Sequence, residues 1–349
     1  MNALAWLKSM DKKTLWLLFL LLWLAACTGK VENADLSPVP SQITAPNELP
    51  EHLARYRIYW QGRLVYLDGT VVENDPITQL KHDKSIMLRS YKFSHNGRYL
   101  VYRYADVLWN DSEAFPGFPG LREKIGMWDM KTGERKVLVE LGKDFPKEAM
   151  MEGLAFTPED NKVLFSVIWR DSDETQHVDL AMVDIASGKI ERLGMDPLPV
   201  FSLDLDISPD GKWAVLAENT TLNNQVCLLI DLEKRVLDCF SFEAGWYQTV
   251  RLTLDSHSIV YSHNRGIKDP SSILVSKIDG TEHKVLVSGL SSARILLIDE
   301  RKIVFSGATY DNYRCSSIYV INLDGSNFRQ LSYLGQECLT DEELKKMAP

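Results

Sequence analysis

Beyond residue 55 the chain alternates short apolar runs with clusters of turn-forming residues every 8 to 12 positions, and almost no stretch has a helical period. That texture predicts an all-β protein, whether sandwich, barrel or propeller. Strands of this length repeat apolar residues at every second position and stop where Gly, Pro, Asn, Asp and Ser gather. Upstream, residues 28–50 carry Pro38, Pro40, Pro46 and Pro50 among Ser, Thr, Asn and Glu with no apolar period, the composition of a tether. Earlier still, an uncharged apolar run from Leu15 to Ala26 follows Lys8, Lys12 and Lys13. Its length falls well short of the ~20 residues that span a bilayer as a helix, so the run reads as the apolar part of a secretory signal.

An internal repeat narrows the all-β class. The segments MWDMKTGERKVL (127–138), MVDIASGKIERL (182–193), LIDLEKRVLDCF (229–240), SKIDGTEHKVL (276–286) and INLDGSNFRQL (321–331) share one spacing. Nine positions separate Asp129 from Leu138, Asp184 from Leu193, Asp231 from Phe240, Lys277 from Leu286 and Asn322 from Leu331. The successive periods are 55, 47, 46 and 45 residues, near the ~40–50 of a four-stranded propeller blade. The preceding halves agree: FSHNGRYLVY (93–102), FTPEDNKVLFS (156–166) and ISPDGKWAVLA (207–217), with weaker copies LTLDSHSIVYS (252–262) and LIDERKIVFSG (297–307). In Pro209-Asp210-Gly211, Pro presets the first turn position and Gly accepts a positive φ.

These strings, together with LDGSNFRQLS at 323–332, resemble the repeats of the TolB-type propeller family over roughly residues 90–332. The resemblance implies one β-propeller of four-stranded antiparallel blades and is silent on chemistry. Residues 56–80, with RIYW, GRLVYLDG and PITQL, read as a shortened further unit. Six blades are therefore the expectation, with five and seven open. The expected organisation is a signal peptide at 1–26, a lipidated Cys27 and tether to residue 50, a propeller at 51–335 and a tail at 336–349.

The segment Leu24-Ala25-Ala26-Cys27 resembles the bacterial lipobox. That resemblance implies cleavage before Cys27, diacylation of its thiol and attachment of the mature chain to a membrane. Thr28 after the cysteine implies an outer-membrane site facing the periplasm. Loss of residues 1–26 moves the net charge from −9 to −11, a surface that repels phosphate backbones, so nucleic acid is not an expected partner. In such an oxidising compartment the other four cysteines suggest disulfides, with three pairings open. Centring the 229–240 hairpin on Glu233 would put Cys227 opposite Cys239, and Cys315 paired with Cys338 would pin the tail to the last unit.

In a four-stranded meander the first-to-second and third-to-fourth turns share one face, and here they are short. The other face would carry long, varied loops at 103–126, 168–177, 217–225, 262–271 and 306–314, where binding tends to concentrate. The longest supplies Trp109, Phe115 and Phe118 in a Pro-Gly framework; the others add Trp169, Arg170, His263, Arg265, Tyr310, Tyr313 and Arg314, and a blade link adds Trp246 and Tyr247. The same aromatics could instead cover the tops of their own blades.

No GxSxG, HExxH, P-loop or GxGxxG string occurs, and His52, His82, His95, His177, His257, His263 and His283 form no HxH pair. Asp204, Asp206 and Asp210 have the chemistry of calcium ligands, but alternation places the first two on one strand face and the third in a turn. The expectation is a monomeric, non-catalytic envelope lipoprotein without metal or cofactor, binding a protein or peptide through its loop face. The alternative is a lyase or glycan-active propeller enzyme with a polar site at the channel mouth. Convergence of Arg, His and acidic side chains on one place would favour the alternative; an apolar, aromatic rim would favour the first.

Overall fold

The computed structural model describes residue 49 and residues 56–331 apart from 61–62, 107–122, 147–148, 171–172, 174–175, 195–201, 219–226, 241–245, 265–268 and 310–311. Cys27, Cys338, Trp109, Phe115, Phe118, Arg265 and Tyr310 lie outside the described residues, as do the side chains of Cys227, Cys239, Trp246, Tyr247, Tyr313, Arg314 and Cys315. Among the described residues no helix is long and apolar enough to cross a membrane.

The chain opens with a hairpin of β1 (Arg57–Trp60) and β2 (Arg63–Tyr66), followed by α1 (Pro76–His82). Next come three four-stranded antiparallel meanders: β3 (Ile86–Phe93) to β6 (Arg135–Glu140) through β4 (Tyr99–Asp106) and β5 (Glu123–Asp129); β7 (Met150–Phe156), β8 (Lys162–Arg170), β9 (Gln176–Asp184) and β10 (Ile190–Arg192); and β11 (Ser202–Ile207), β12 (Trp213–Glu218), β13 (Cys227–Asp231) and β14 (Val236–Phe240). The last sheet has seven strands: β15 (Trp246–Leu252), β16 (Ser258–Asn264), β17 (Ser271–Lys277), β18 (Lys284–Ile298), β19 (Lys302–Thr309), β20 (Asn312–Asn322) and β21 (Arg329–Leu331). β18 closes one meander against β17 with its first half and opens the next against β19 with its second. Among the described residues these make five full meanders and the hairpin.

The repeat has a local cause at each end. In the first turns a hydroxyl accepts the backbone N–H five residues on: Ser94 from Tyr99, Thr157 from Lys162, Ser208 from Trp213 and Thr253 from Ser258. In the second turns Asp129, Asp184 and Asp231 accept turn N–H groups, including those of Lys131, Ser187 and Lys234. Short polar side chains suit these places because they satisfy backbone donors that the ladder leaves free.

Packing follows from burial of both strand faces. On β8, Val163, Phe165 and Val167 face the first meander, whereas Leu164 and Ile168 face the third. Val215 on β12 packs toward the fourth meander and its neighbours Ala214 and Leu216 toward the second. The hairpin follows the same rule: Val65 joins Val304, Ile318 and Val320 of the last meander, and Leu64 joins Leu100, Tyr102 and Trp128 of the first. It therefore bridges the two ends of the array, and six apolar interfaces run unbroken around a ring. Each fully buried large side chain contributes about 1.5–3 kcal/mol.

Three sequence expectations are corrected here. PITQL is not strand: Asp75 accepts the Ile77 and Thr78 N–H groups as N-cap and Pro76 fixes the first helical φ, so the segment starts α1. Cys227 does not face Cys239, because the ladder pairs Cys227 with Phe240 and Leu228 with Cys239. The turn holds four residues, with Arg235 at φ 56°, so its centre lies between Glu233 and Lys234 and the register is one residue off the expected one. Finally, several expected loops are strand. β16 runs through His263 to Asn264, β15 begins at Trp246, and β19 and β20 leave only 310–311 between them, so Tyr313 and Cys315 lie within β20.

Candidate functional site

The first strands of the meanders, β3, β7, β11, β15 and the second half of β18, are the innermost and adjoin one another around the axis. Their inward positions can be read from the turns. Lys92, Asp206 and Arg251 each stand two residues before the Ser or Thr that closes its first turn. Asp204 precedes Asp206 by two and shares its strand face. A bulge between Ile295 and Leu297 shifts the parity on β18 and brings Arg294 into the group. Tyr56, just before β1, completes it from the hairpin side, its O–H donating to the Leu296 carbonyl at 3.4 Å.

These six side chains act on one another electrostatically. Asp204 Oδ2 accepts from Arg251 Nη1 and from the Val250 N–H at 3.1 Å, and Asp206 Oδ2 accepts the Leu252 N–H at 2.9 Å. Two carboxylates of the third meander thereby cap the inner edge of the fourth. Burial opposes ionisation of Asp204, but Arg251, Lys92 and the Val250 N–H outweigh it and hold the carboxyl below its ordinary value. For Asp206 burial wins and the carboxyl is raised. Burial, with Arg251 and Arg294 adding to it, brings the Lys92 ammonium down to about 8 against the attraction of Asp204 and Asp206. Burial raises the Tyr56 phenol, with Asp206 adding to it and Arg251 opposing.

A second polar group ties the first two meanders. Arg103 and Glu152 form an ion pair at 2.8 Å, with side chains 9 % and 15 % exposed, and Glu123 accepts the Met151 N–H at 2.9 Å. Burial raises Glu152 despite Arg103.

The face of short turns is tied at five of the six junctions among the described residues. Arg57 donates to the Gly97 carbonyl, Asp160 accepts the N–H groups of His95 and Asn96 at 2.8 and 2.9 Å, and Lys136 donates to the Ile185 carbonyl. Arg235 pairs with Glu191 at 2.7 Å, Ser256 bonds Asp210, and Lys284 donates to the Asp324 carbonyl. Asp210 thus belongs to this collar, apart from Asp204 and Asp206. Among the described residues no three potential ligands gather as a metal would require.

Of the loop-face candidates with described side chains, Trp169 is half-buried and stacks on His177 at 5.2 Å, with Arg192 5.1 Å from its ring centroid and itself paired to the buried Asp179. It covers its own blade. Arg170, at the end of β8, is exposed; His263 is buried. Sequence reasoning missed Tyr56, Lys92, Arg251 and Arg294. The signal for two of them was a charged residue at the strand position two before the turn hydroxyl.

No protein-family model and no curated protein matches the sequence. Solved structures do. TolB from Acinetobacter baumannii aligns with a TM-score of 0.50 at 14 % identity over 70 % of this chain and 53 % of its own, so the chain spans about half of that protein's length. The tricorn protease aligns with a TM-score of 0.50 at 12 % identity over 71 % of this chain and 26 % of its own. An acylaminoacyl peptidase bound to a peptide chloromethyl ketone gives 0.50 at 12 % over 72 % and 40 %. Identities this low speak for architecture alone. With the repeat, the inner strands and the closing hairpin, they identify the fold as that of the TolB-like β-propellers.

Proposed function

We propose that this chain is a non-catalytic propeller of the bacterial cell envelope, lipid-anchored through Cys27, that binds a protein or peptide with its loop-rich face. The observation that carries the reading is the inequality of the two faces. One is a collar of short turns bonded across the junctions from the hairpin to the fifth meander, while the second-to-third connections differ widely in length, the longest, 107–122, carrying Trp109, Phe115 and Phe118 in its sequence. A rigid scaffold presenting irregular connections on one side suits recognition. The TolB-like fold agrees with a scaffold role, and the lipobox-like segment with envelope attachment.

A second reading, a lyase or glycan-active propeller, draws on the convergence of Lys92, Arg251, Arg294, Asp204 and Asp206. It is the weaker one because both carboxylates are engaged with Arg251 or backbone amides.

The test is cross-linking and pull-down from envelope extract with the mature chain carrying Cys27→Ser, repeated with Trp109, Phe115 and Phe118 all replaced by Ala. The expected result is a specific partner that the triple variant loses. Undiminished capture by the triple variant would overturn the face assignment.

A further inference from the structure

We infer that Arg103, Glu123 and Lys124 are positioning residues: they brace both ends of the connection 107–122 and so govern partner binding without touching the partner. This deepens the loop-face reading and rests on it.

The connection leaves β4 after Asp106 and enters β5 at Glu123, and the last rung of the ladder, Ala105 with Glu123, holds its two ends side by side. Side chains alternate along both strands, so the ends are held from two sides. On the side of the second meander, with Val101 and Ile125, stand Arg103 and Glu123. Arg103 pairs with Glu152 of β7 at 2.8 Å, and Glu123 accepts the N–H of Met151, also on β7, at 2.9 Å. On the opposite side, with Tyr102 and Tyr104, stand Asp106 and Lys124. The Lys124 ammonium lies 2.6 Å from Asp106 and 3.4 Å from Glu140 of β6, which ties the outgoing strand to the returning one and to the outer strand beside it. The Glu123 carbonyl also accepts the Leu141 N–H at 3.1 Å.

Packing alone does not ask for these contacts. The interface of the first two meanders is largely apolar, from Val101 and Ile125 to Phe156 and Phe165, and Arg103 and Glu123 are both buried in it. Charges taken out of water are costly even when paired, so apolar residues of similar volume would serve cohesion at least as well. What the polar contacts add is direction. A carboxylate on a backbone N–H and a guanidinium on a carboxylate admit a narrow range of geometries, whereas apolar surfaces slide. Direction is of use where a strand end must be aimed. Arg103, Asp106, Glu123 and Lys124 all stand at the two ends from which the chain carries Trp109, Phe115 and Phe118.

The mature chain carrying Cys27→Ser serves for the test, with two readouts: hydrogen exchange of the peptides spanning 107–122, followed by mass spectrometry, and the amount of partner cross-linked from envelope extract. Glu123→Ala should speed exchange in 107–122 by about ten-fold and lower capture to the level of the variant lacking Trp109, Phe115 and Phe118. Lys124→Met should act in the same direction. Glu123→Gln keeps an oxygen for the Met151 N–H and should stay within about two-fold of the parent on both readouts. Asp160→Ala cuts a tie between the same two meanders on the face of short turns, and should leave both readouts unchanged although it lowers stability. Unchanged exchange in Glu123→Ala, an equal change in Asp160→Ala, or a Glu123→Gln variant as impaired as Glu123→Ala would overturn the brace. Faster exchange with undiminished capture would overturn its part in binding. A parent that captures nothing refutes the loop-face reading, and the exchange comparison still decides whether the ends are braced.

Discussion

Replacing Lys92 by Met should stabilise the protein at neutral pH. The ammonium is held near 8 rather than 10.5, chiefly by burial and by Arg251. At about 1.4 kcal/mol per pH unit that gap corresponds to an upper limit of about 3 kcal/mol, and access of channel water reduces the expected gain to about 1–2 kcal/mol. Its pH dependence is the discriminating feature. Between about 8 and 10.5 the unfolded chain still holds a proton that the folded chain has released, so the parent gains stability as pH rises through that window. The cost of Lys92 is therefore fully present below about 8 and fades above it, and Lys92→Met should remove both. Urea denaturation of parent and variant from about pH 6.5 to about pH 10 reads this as a difference that shrinks with rising pH. A difference constant across the range, or a destabilised variant at neutral pH, would refute the electrostatic account of the channel.

Gly126→Ala places a methyl group 2.6 Å from the Tyr102 ring, and should cost about 1–3 kcal/mol; thermal denaturation should show the loss partly restored when Tyr102 is also made smaller. Arg103→Met strands the buried Glu152 beside Glu123 and should cost about 3 kcal/mol near neutrality. Burial already raises Glu152, so the deficit should shrink as acid protonates it, read by denaturation at about pH 7 and about pH 5. Asp160→Ala removes the acceptor that joins His95 and Asn96 to the second meander at φ 56°. It should cost about 2 kcal/mol and raise hydrogen exchange of those two amides.

The repeat was legible because its signals are local. Asp129, Asp184 and Asp231 bond turn amides within three residues of themselves, and Ser94, Thr157, Ser208 and Thr253 bond the amide five residues on. A one-dimensional spacing therefore records a three-dimensional turn. α1 escaped because Asp75-Pro76 lies amid strand-like strings, and the cap outweighs the neighbourhood. The 227–240 register escaped because the left-handed Arg235 adds a residue to the turn, which no alternation of apolar positions reports. The channel group was the hardest to see. Lys92, Asp204, Arg251 and Arg294 come from four separate units, and only closure of the ring makes them neighbours; Asp204 and Asp206 attracted notice as metal ligands when their work is to hold Val250, Leu252 and Arg251.

The hairpin that completes the ring is also the first described strand pair of the chain. Load applied from the N-terminal side reaches β1 through the buried Leu49 and through Tyr56, which hold it by the packing of Leu49 with Ile58 and by the Tyr56 bond to Leu296. The other junctions lie farther along the chain, and between the last two meanders β18 runs through without a break. Tension from the N-terminal side would thus be borne first by the seam between the hairpin and the last meander, so that a pulled molecule opens like a split ring, at the clasp.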